Sequence, residues 1–398
     1  MKTFNRIFQG DRVIWMVVAL LSLVSLLAVY SATGTYANTK YDGNNTYVLL
    51  RHALMLVLGL GAMYVAHLLK YTYYSIIFKV LFIVSVPLLG YTTFFGADLN
   101  DAQRVVHIFG ISFQSSDLAK VALIGFLSLM LTKKQDNIKD FKTAFVPLML
   151  PVLLIVGLIL PENFSTAAIL FMCCIALLFV GRINMKYLMI FMLIGLVALT
   201  IYVLIVMNVA EDKGRTVTWV NRIERFISPS DDAEEEGVVI TDENYQTMHS
   251  KIAIASGGIF GKAPGRSTQR NILPHPYSDF IFAIIVEEYG LLGGIFVILL
   301  YLILLFRAIA IMVAIPQSFG GFVSFGLALL IVVQAMINMG VAVGILPVTG
   351  QPLPFVSMGG TSLLITGLSI GVILSVSKEI DKINEKRNEL KSATEGDN

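Results

Sequence analysis

Charge is what this sequence has least of. Only 14% of its 398 residues are Asp, Glu, Lys or Arg, against 56% hydrophobic residues. Soluble chains carry about a quarter of their residues as charges, so a water-soluble globular protein is excluded. Cysteine is almost absent as well. Cys173 and Cys174 are adjacent inside an apolar run, which argues against a disulfide framework or a zinc site and for helix packing. The five histidines are scattered and suggest no metal cluster. The net charge of +2 says little, because the sidedness of Lys and Arg matters more than their sum. Nothing in the chain calls for a nucleic acid partner.

What the sequence has instead is apolar runs of roughly 20 residues, each long enough to cross a bilayer core as a helix. The expected fold is an all-α polytopic membrane protein with about ten transmembrane helices and both termini cytoplasmic. The first span is Val13 to Ala32, too long for a signal-peptide core and followed by further spans. The second ends near Leu69, and the third runs Ser75 to Phe95. Gly96 to Ser116 is an outer segment. The fourth span runs from about Asp117 to Lys133, the fifth Thr143 to Leu160, and the sixth ends at Gly181. The seventh, Tyr187 to Val209, leads into one long extracytoplasmic loop, Ala210 to Ser278. The eighth follows Asp279 to about Arg307, with Gly290 and Gly293-Gly294 as places where it can split. The ninth runs Phe319 to Gly344, and the tenth ends at Ser377 before a charged cytoplasmic tail, 378–398. The whole chain reads as a single integral membrane domain. Of the 29 Lys and Arg, this topology puts 17 inside, four in short outer segments and eight in the long outer loop. Long loops are largely exempt from the positive-inside rule, so the comparison is 17 against four.

Four polar patches then converge on the outer face: Arg104 to Lys120, Pro161 to Thr166, Lys262 to Asp279, and Pro347 to Ser362. Carriers usually place such residues at the midplane, whereas these gather at helix ends. Each patch has two readings. Asp117 and Lys120, three apart on one helix face, form either a local ion pair or a cation that meets an anionic ligand. Arg104 is either an interfacial anchor or a second such cation. Glu162 and Asn163 either cap the next helix or line a site. Ser256-Gly257-Gly258-Ile259-Phe260-Gly261-Lys262 reads as a surface turn or a backbone nest for phosphate; it lacks the Walker spacing. Gly359-Gly360-Thr361-Ser362 holds an anion at a helix N-terminus or simply caps it. Asp279 is either an N-cap or a general base. Glu287 and Glu288 receive no role.

Taken together, the motifs resemble the SEDS family (shape, elongation, division and sporulation proteins), which contains FtsW and RodA. The resemblance covers nearly the whole chain. It rests most on Ser250 to Lys262, Ser278-Asp279-Phe280-Ile281-Phe282-Ala283, Glu287-Glu288-Tyr289-Gly290, and Leu353-Pro354-Phe355-Val356-Ser357 with Gly359-Gly360. It implies a ten-span glycosyltransferase that polymerises lipid II into peptidoglycan glycan strands beside a class B penicillin-binding protein. The family's essential loop aspartate falls on Asp279, the implied catalytic base. Its Gln-Pro-Ser-Glu and following lysine match Gln114, Ser116, Asp117 and Lys120, with Ser115 in place of proline and Asp117 in place of glutamate. The tryptophan that usually follows the arginine is Val105, and the Gln-Pro-Asp turn is altered to Pro161-Glu162-Asn163. Substrate contacts are expected from Arg104, Gln114, Ser116, Asp117, Lys120, Glu162, Asn163, Lys262, Ser357, Gly359 and Gly360. A divalent cation is a possible further participant, with no residues assigned to it. The compact chain and short charged tail favour the FtsW-like division branch, hence the septum of the bacterial cytoplasmic membrane and other division-complex membrane proteins as partners. The alternatives are an elongation role, a lipid II flippase and a non-catalytic division scaffold.

Overall fold

The computed structural model describes residues 9–34, 36, 41, 44–95, 97–98, 103–108, 111–161, 163–209, 242–315 and 319–396. Its helices are α1 Arg12–Ala32, α2 Asn45–Leu68, α3 Tyr74–Phe95, α4 Ser115–Lys133, α5 Val146–Ile159, α6 Phe164–Val180, α7 Met185–Val209, α8 Asp242–Gly257, α9 Ile281–Ala314, α10 Phe319–Ala342 and α11 Thr361–Gly396. Among the described residues, eight helical segments are long and apolar enough to cross a membrane, and two shorter apolar helices cover Phe164–Val180 and Met185–Gly195. Large apolar side chains such as Leu23, Leu50, Ile83 and Leu193 face outward. On a bundle of such helices that surface suits lipid, not water.

Helix starts follow local chemistry. Asp11 caps α1, its Oδ1 accepting from Val13 N at 2.9 Å and Ile14 N at 3.3 Å. Its other oxygen pairs with Arg307 Nη2 at 2.6 Å, so one buried carboxylate ties α1 to α9. Asn44 caps α2 through Tyr47 N at 3.0 Å. Packing relies on small residues. α2 lies against α11, and a Cβ at Gly367 would run into the Gly59 carbonyl, as one at Gly371 would into that of Met63. Within a membrane, such close approach substitutes for the hydrophobic drive that lipid removes. α10 packs on α4, α6, α9 and α11. At Gly326 an added Cβ would meet Ile124 of α4 and Leu177 of α6.

Four details depart from expectation. The segment 96–116 contains three short antiparallel strands, β1 Ala97–Asp98, β2 Gln103–Ile108 and β3 Ile111–Gln114. The β-branched run Val105-Val106-His107-Ile108 suits a ladder, and it pairs with β3 from Val105↔Gln114 to Ile108↔Ile111. The long loop carries a helix, α8. α9 continues past Arg307 to Ala314. α11 runs through the charged tail to Gly396, because Lys, Glu, Leu and Ala have high helix propensity and no proline interrupts them.

α9 is broken at Gly290, whose φ of 72° and ψ of −173° are not helical. The Gly257–Lys262 turn clasps the break. Lys262 N and Ala263 N donate to the carbonyls of Glu287 and Glu288 at 2.9 and 3.1 Å. Leu291 N and Leu292 N donate to those of Gly258 and Ile259 at 2.9 and 3.4 Å. The turn thus satisfies orphan groups of both half-helices. A Cβ at Gly290 would strike the Ile259 carbonyl, and one at Gly261 that of Glu288. Both collisions are with backbone, and both glycines have positive φ. Gly290→Ala is therefore expected to destabilise the protein by about 3 kcal/mol, as strained backbone compounded by a clash does. A thermal-unfolding midpoint unchanged in detergent would refute this.

Candidate active site

Asp279 ends the segment that precedes α9. Phe280 holds the N-cap position of that helix and no side chain caps it, so the cap reading of Asp279 is not the one the chain adopts. The residue is half-buried, and its Oδ1 accepts the Ser278 hydroxyl at 2.8 Å. Its backbone carbonyl accepts from Asn338 Nδ2 at 2.8 Å. The same nitrogen donates to the Gln351 carbonyl at 2.7 Å. Gln351 Nε2 donates to Thr166 Oγ1 at 2.8 Å, and Thr166 N donates to Asn163 Oδ1 at 3.1 Å. This line of bonds joins the start of α9, the end of α10, the 345–360 turn and the start of α6.

Ser357 adds a second tie. Its hydroxyl donates to the Ser278 carbonyl at 2.6 Å and accepts from Leu353 N at 2.8 Å. Met358 N donates to the Tyr277 carbonyl at 2.9 Å. The backbone is therefore held on both sides of Asp279, which sets the carboxylate's place through tertiary contacts. Gly350, at φ 63°, turns its open side to Asp279: a Cβ there would stand 3.8 Å from Oδ2. Tyr277 packs on Tyr36 with ring centroids 4.8 Å apart. Burial first, then Tyr36 and the Asp279 carboxylate, push the Tyr277 phenol up to about 12, so it remains a neutral hydroxyl at physiological pH.

The second patch opens α4. Lys120 is buried, and its Nζ pairs with Asp117 Oδ1 at 2.8 Å. Gln114 Nε2 donates to Ser116 Oγ at 3.0 Å. Ser115, at the position of the family's proline, shares a hydrogen bond with Thr92 at 2.8 Å. α4 and α10 meet at Ile124 and Gly326. A helix rises 1.5 Å per residue, so the Lys120 backbone lies roughly 12 Å deeper than Asn338. Helical side chains lean toward their own N-terminus, which turns Lys120 toward Asp117 and the end of the bundle holding Asp279. Arg104 lies on β2; its side chain and Glu162 fall outside the described residues.

The glycine-rich turn does not stand open as a nest, because it clasps the α9 break. Lys262 pairs with Glu287 at 2.7 Å. Gly360 has open space around it, whereas Gly359 abuts Ser362 Oγ, and the two precede α11. The sequence reading missed Thr166, Tyr277, Asn338 and Gln351. Gln334 and Asn338 carried a signal: two amides one turn apart in an apolar helix need partners. They find them in the carbonyls of Pro352 and Gln351. Among the described residues no three His, Cys, Asp or Glu side chains converge to hold a metal ion. No chemical step is assigned to a divalent cation.

The family model of FtsW, RodA and SpoVE, described as cell cycle protein, matches residues 11–382. The chain belongs to this family. It is 32% identical over 372 residues to stage V sporulation protein E of Bacillus subtilis, covering 92% of this chain and 97% of that one. It is also 32% identical over 387 residues to a probable peptidoglycan glycosyltransferase FtsW of Geobacter sulfurreducens, covering 94% and 97%. Among solved structures, a chain of a peptidoglycan synthase complex that coordinates polymerisation and crosslinking superposes with a TM-score of 0.71 at 23% identity, covering 93% and 98%. Thermus thermophilus RodA gives 0.64 at 24% identity, covering 93% and 97%. At such identity these two likenesses concern the fold, which is that of an FtsW/RodA-family integral membrane protein.

Proposed function

We propose that this chain is a peptidoglycan glycosyltransferase, using lipid II as donor and acceptor at the outer face of the bacterial cytoplasmic membrane. The observation that carries this reading is the placement of Asp279. It is a carboxylate at a helix end, fixed on both flanks, beside the polar starts of α6 and α11. Relatives named as FtsW glycosyltransferases, matched over nearly their full length, support the same reading.

The acceptor's sugar hydroxyl is a poor nucleophile. Asp279 accepts its proton as the oxygen attacks the donor's anomeric carbon. The bond from that carbon to the pyrophosphate oxygen breaks, and the leaving group takes the electron pair. An α-linked donor becoming a β-linked product requires inversion, so one displacement suffices. We assign the leaving pyrophosphate to Lys120 and Arg104, with Gln114, Ser116 and Asp117 around it. Lys262, paired with Glu287 at 2.7 Å, is kept among the substrate contacts and not among the groups that stabilise the leaving charge. We assign Asn163, Ser357, Gly359 and Gly360 to the edge of the same site, and Glu162, which lies outside the described residues, to the substrate contacts by its match to the family motif. Polar groups gathered at helix ends favour polymerisation over translocation of the same lipid.

We place both termini inside a ten-span bundle, with Asp279 outside. Single cysteines replacing Arg266 and Asp232, in a background lacking Cys173 and Cys174, should label from outside in intact cells. A cysteine at Lys382 should need permeabilised membranes; outside labelling there would refute the topology. The partner we assign is a class B penicillin-binding protein, a transpeptidase, packed on a lipid-facing surface within the division complex at the septum. The decisive experiment is polymerisation of labelled lipid II by the purified protein, with and without that transpeptidase. Translocation without polymer would make the chain a flippase, and neither activity would leave it a scaffold.

A further inference from the structure

Glu287 and Glu288 have no part in the chemistry above, yet they are 0% and 1% exposed. They end the first half of α9, two turns beyond Asp279. Glu287 gathers donors from the loop that precedes the helix. Lys262 Nζ reaches Oε1 at 2.7 Å. Thr268 reaches it through its amide at 3.1 Å and its hydroxyl at 2.8 Å. Ser256 Oγ lies 3.4 Å away. Oε2 accepts the Ser267 hydroxyl and, at 3.3 Å, the Gln269 amide. Glu288 accepts the Ser31 hydroxyl and, at 3.2 Å, the Ser267 amide. Arg270 Nη1 in turn donates to Ser31 Oγ at 3.2 Å.

We infer that Glu287 is a positioning residue for Asp279: it anchors residues 262–269 to the far end of the helix that Asp279 precedes. The segment 262–279 is then a strap fixed at both ends. Glu287 and Glu288 hold its beginning, while Ser357 and Asn338 hold its end. Between these anchors lies a short run through Pro274, His275 and Pro276, so freeing one anchor lets the other shift. A carboxylate suits the task because it only accepts hydrogen bonds, and every group aimed at Glu287 is a donor. A buried charge kept for stability alone is a poor device, since apolar replacement is often as stable. A converging set of donors fixes one geometry instead.

The inference rests on Asp279 as the base. The test compares purified wild-type protein, Glu287→Gln and Asp279→Asn in lipid II polymerisation and in backbone hydrogen exchange. Glutamine turns an NH2 group toward donors. Glu287→Gln should lower kcat about 10²-fold, the scale of loss for a displaced catalytic group, with KM changed less than about threefold. Amides of residues 262–278 should exchange faster while those of α10 keep their rates. Should Glu287→Gln fold poorly, Ser267→Ala with Thr268→Val removes hydroxyl donors from the strap instead, and should lower kcat about tenfold in the same pattern. Unchanged exchange, or a rise in KM with kcat intact, would overturn the inference. Full activity of the Glu287 variant beside an inactive Asp279→Asn would sink the inference alone, whereas a fully active Asp279→Asn would sink the base assignment and the inference with it.

Discussion

Asp279→Asn is expected to lower glycan polymerisation by about 10²–10⁴-fold, the usual contribution of general-base catalysis. Asparagine matches aspartate in size and keeps a carbonyl oxygen for the Ser278 hydroxyl, which lies 2.8 Å from Oδ1. The backbone ties from Asn338 and Ser357 involve main-chain carbonyls, so the substitution leaves them in place. Phe280, not Asp279, sits at the N-cap of α9, so no helix cap is lost. Folding, membrane insertion and transpeptidase binding should therefore survive while proton acceptance is lost. The measurement is the rate of labelled lipid II consumption, with thermal unfolding as the control. A stable variant that polymerises at near wild-type rate would remove Asp279 from the chemistry.

Lys120→Ala should lower turnover by about 10²–10³-fold, the range seen when one electrostatic contact to a developing charge is deleted. The substitution also strands Asp117, whose side chain is 14% exposed. Leaving one partner of a buried pair unmatched is itself destabilising by about 3–5 kcal/mol. Activity loss and stability loss must therefore be separated. Asp117→Ala with Lys120→Ala removes the stranded charge and should restore the unfolding midpoint, yet leave turnover low. A double variant that regained activity would show Lys120 and Asp117 to be only a structural pair. Lys120→Arg should keep part of the rate, because the charge stays while its shape and reach change.

The sequence by itself determined the membrane class, the place of the long apolar helices and the family. Apolar length is a local property, so the expected Val13 to Ala32 became Arg12–Ala32 and Ser75 to Phe95 became Tyr74–Phe95. A possible break near Gly290 was legible because glycine in a helical run is a local signal. The role of the glycine-rich turn was not legible. Whether Gly257 to Lys262 holds a phosphate or a broken helix depends on what lies against it, and that is a half-helix about 30 residues away. The choice between cap and fixed carboxylate at Asp279 likewise waited on Asn338, 59 residues beyond Asp279, and on Ser357, 79 residues beyond Ser278. The tertiary structure also decided which polar residues became partners. Glu287 meets Lys262, and Gln351 meets Thr166 across 185 residues. Hydrophobic run length reports whether a segment enters the bilayer, but not its rotation or its neighbours. Those follow from small-residue packing at sites such as Gly59 with Gly367, where two backbones approach closely enough to set the register of the helices that carry the site.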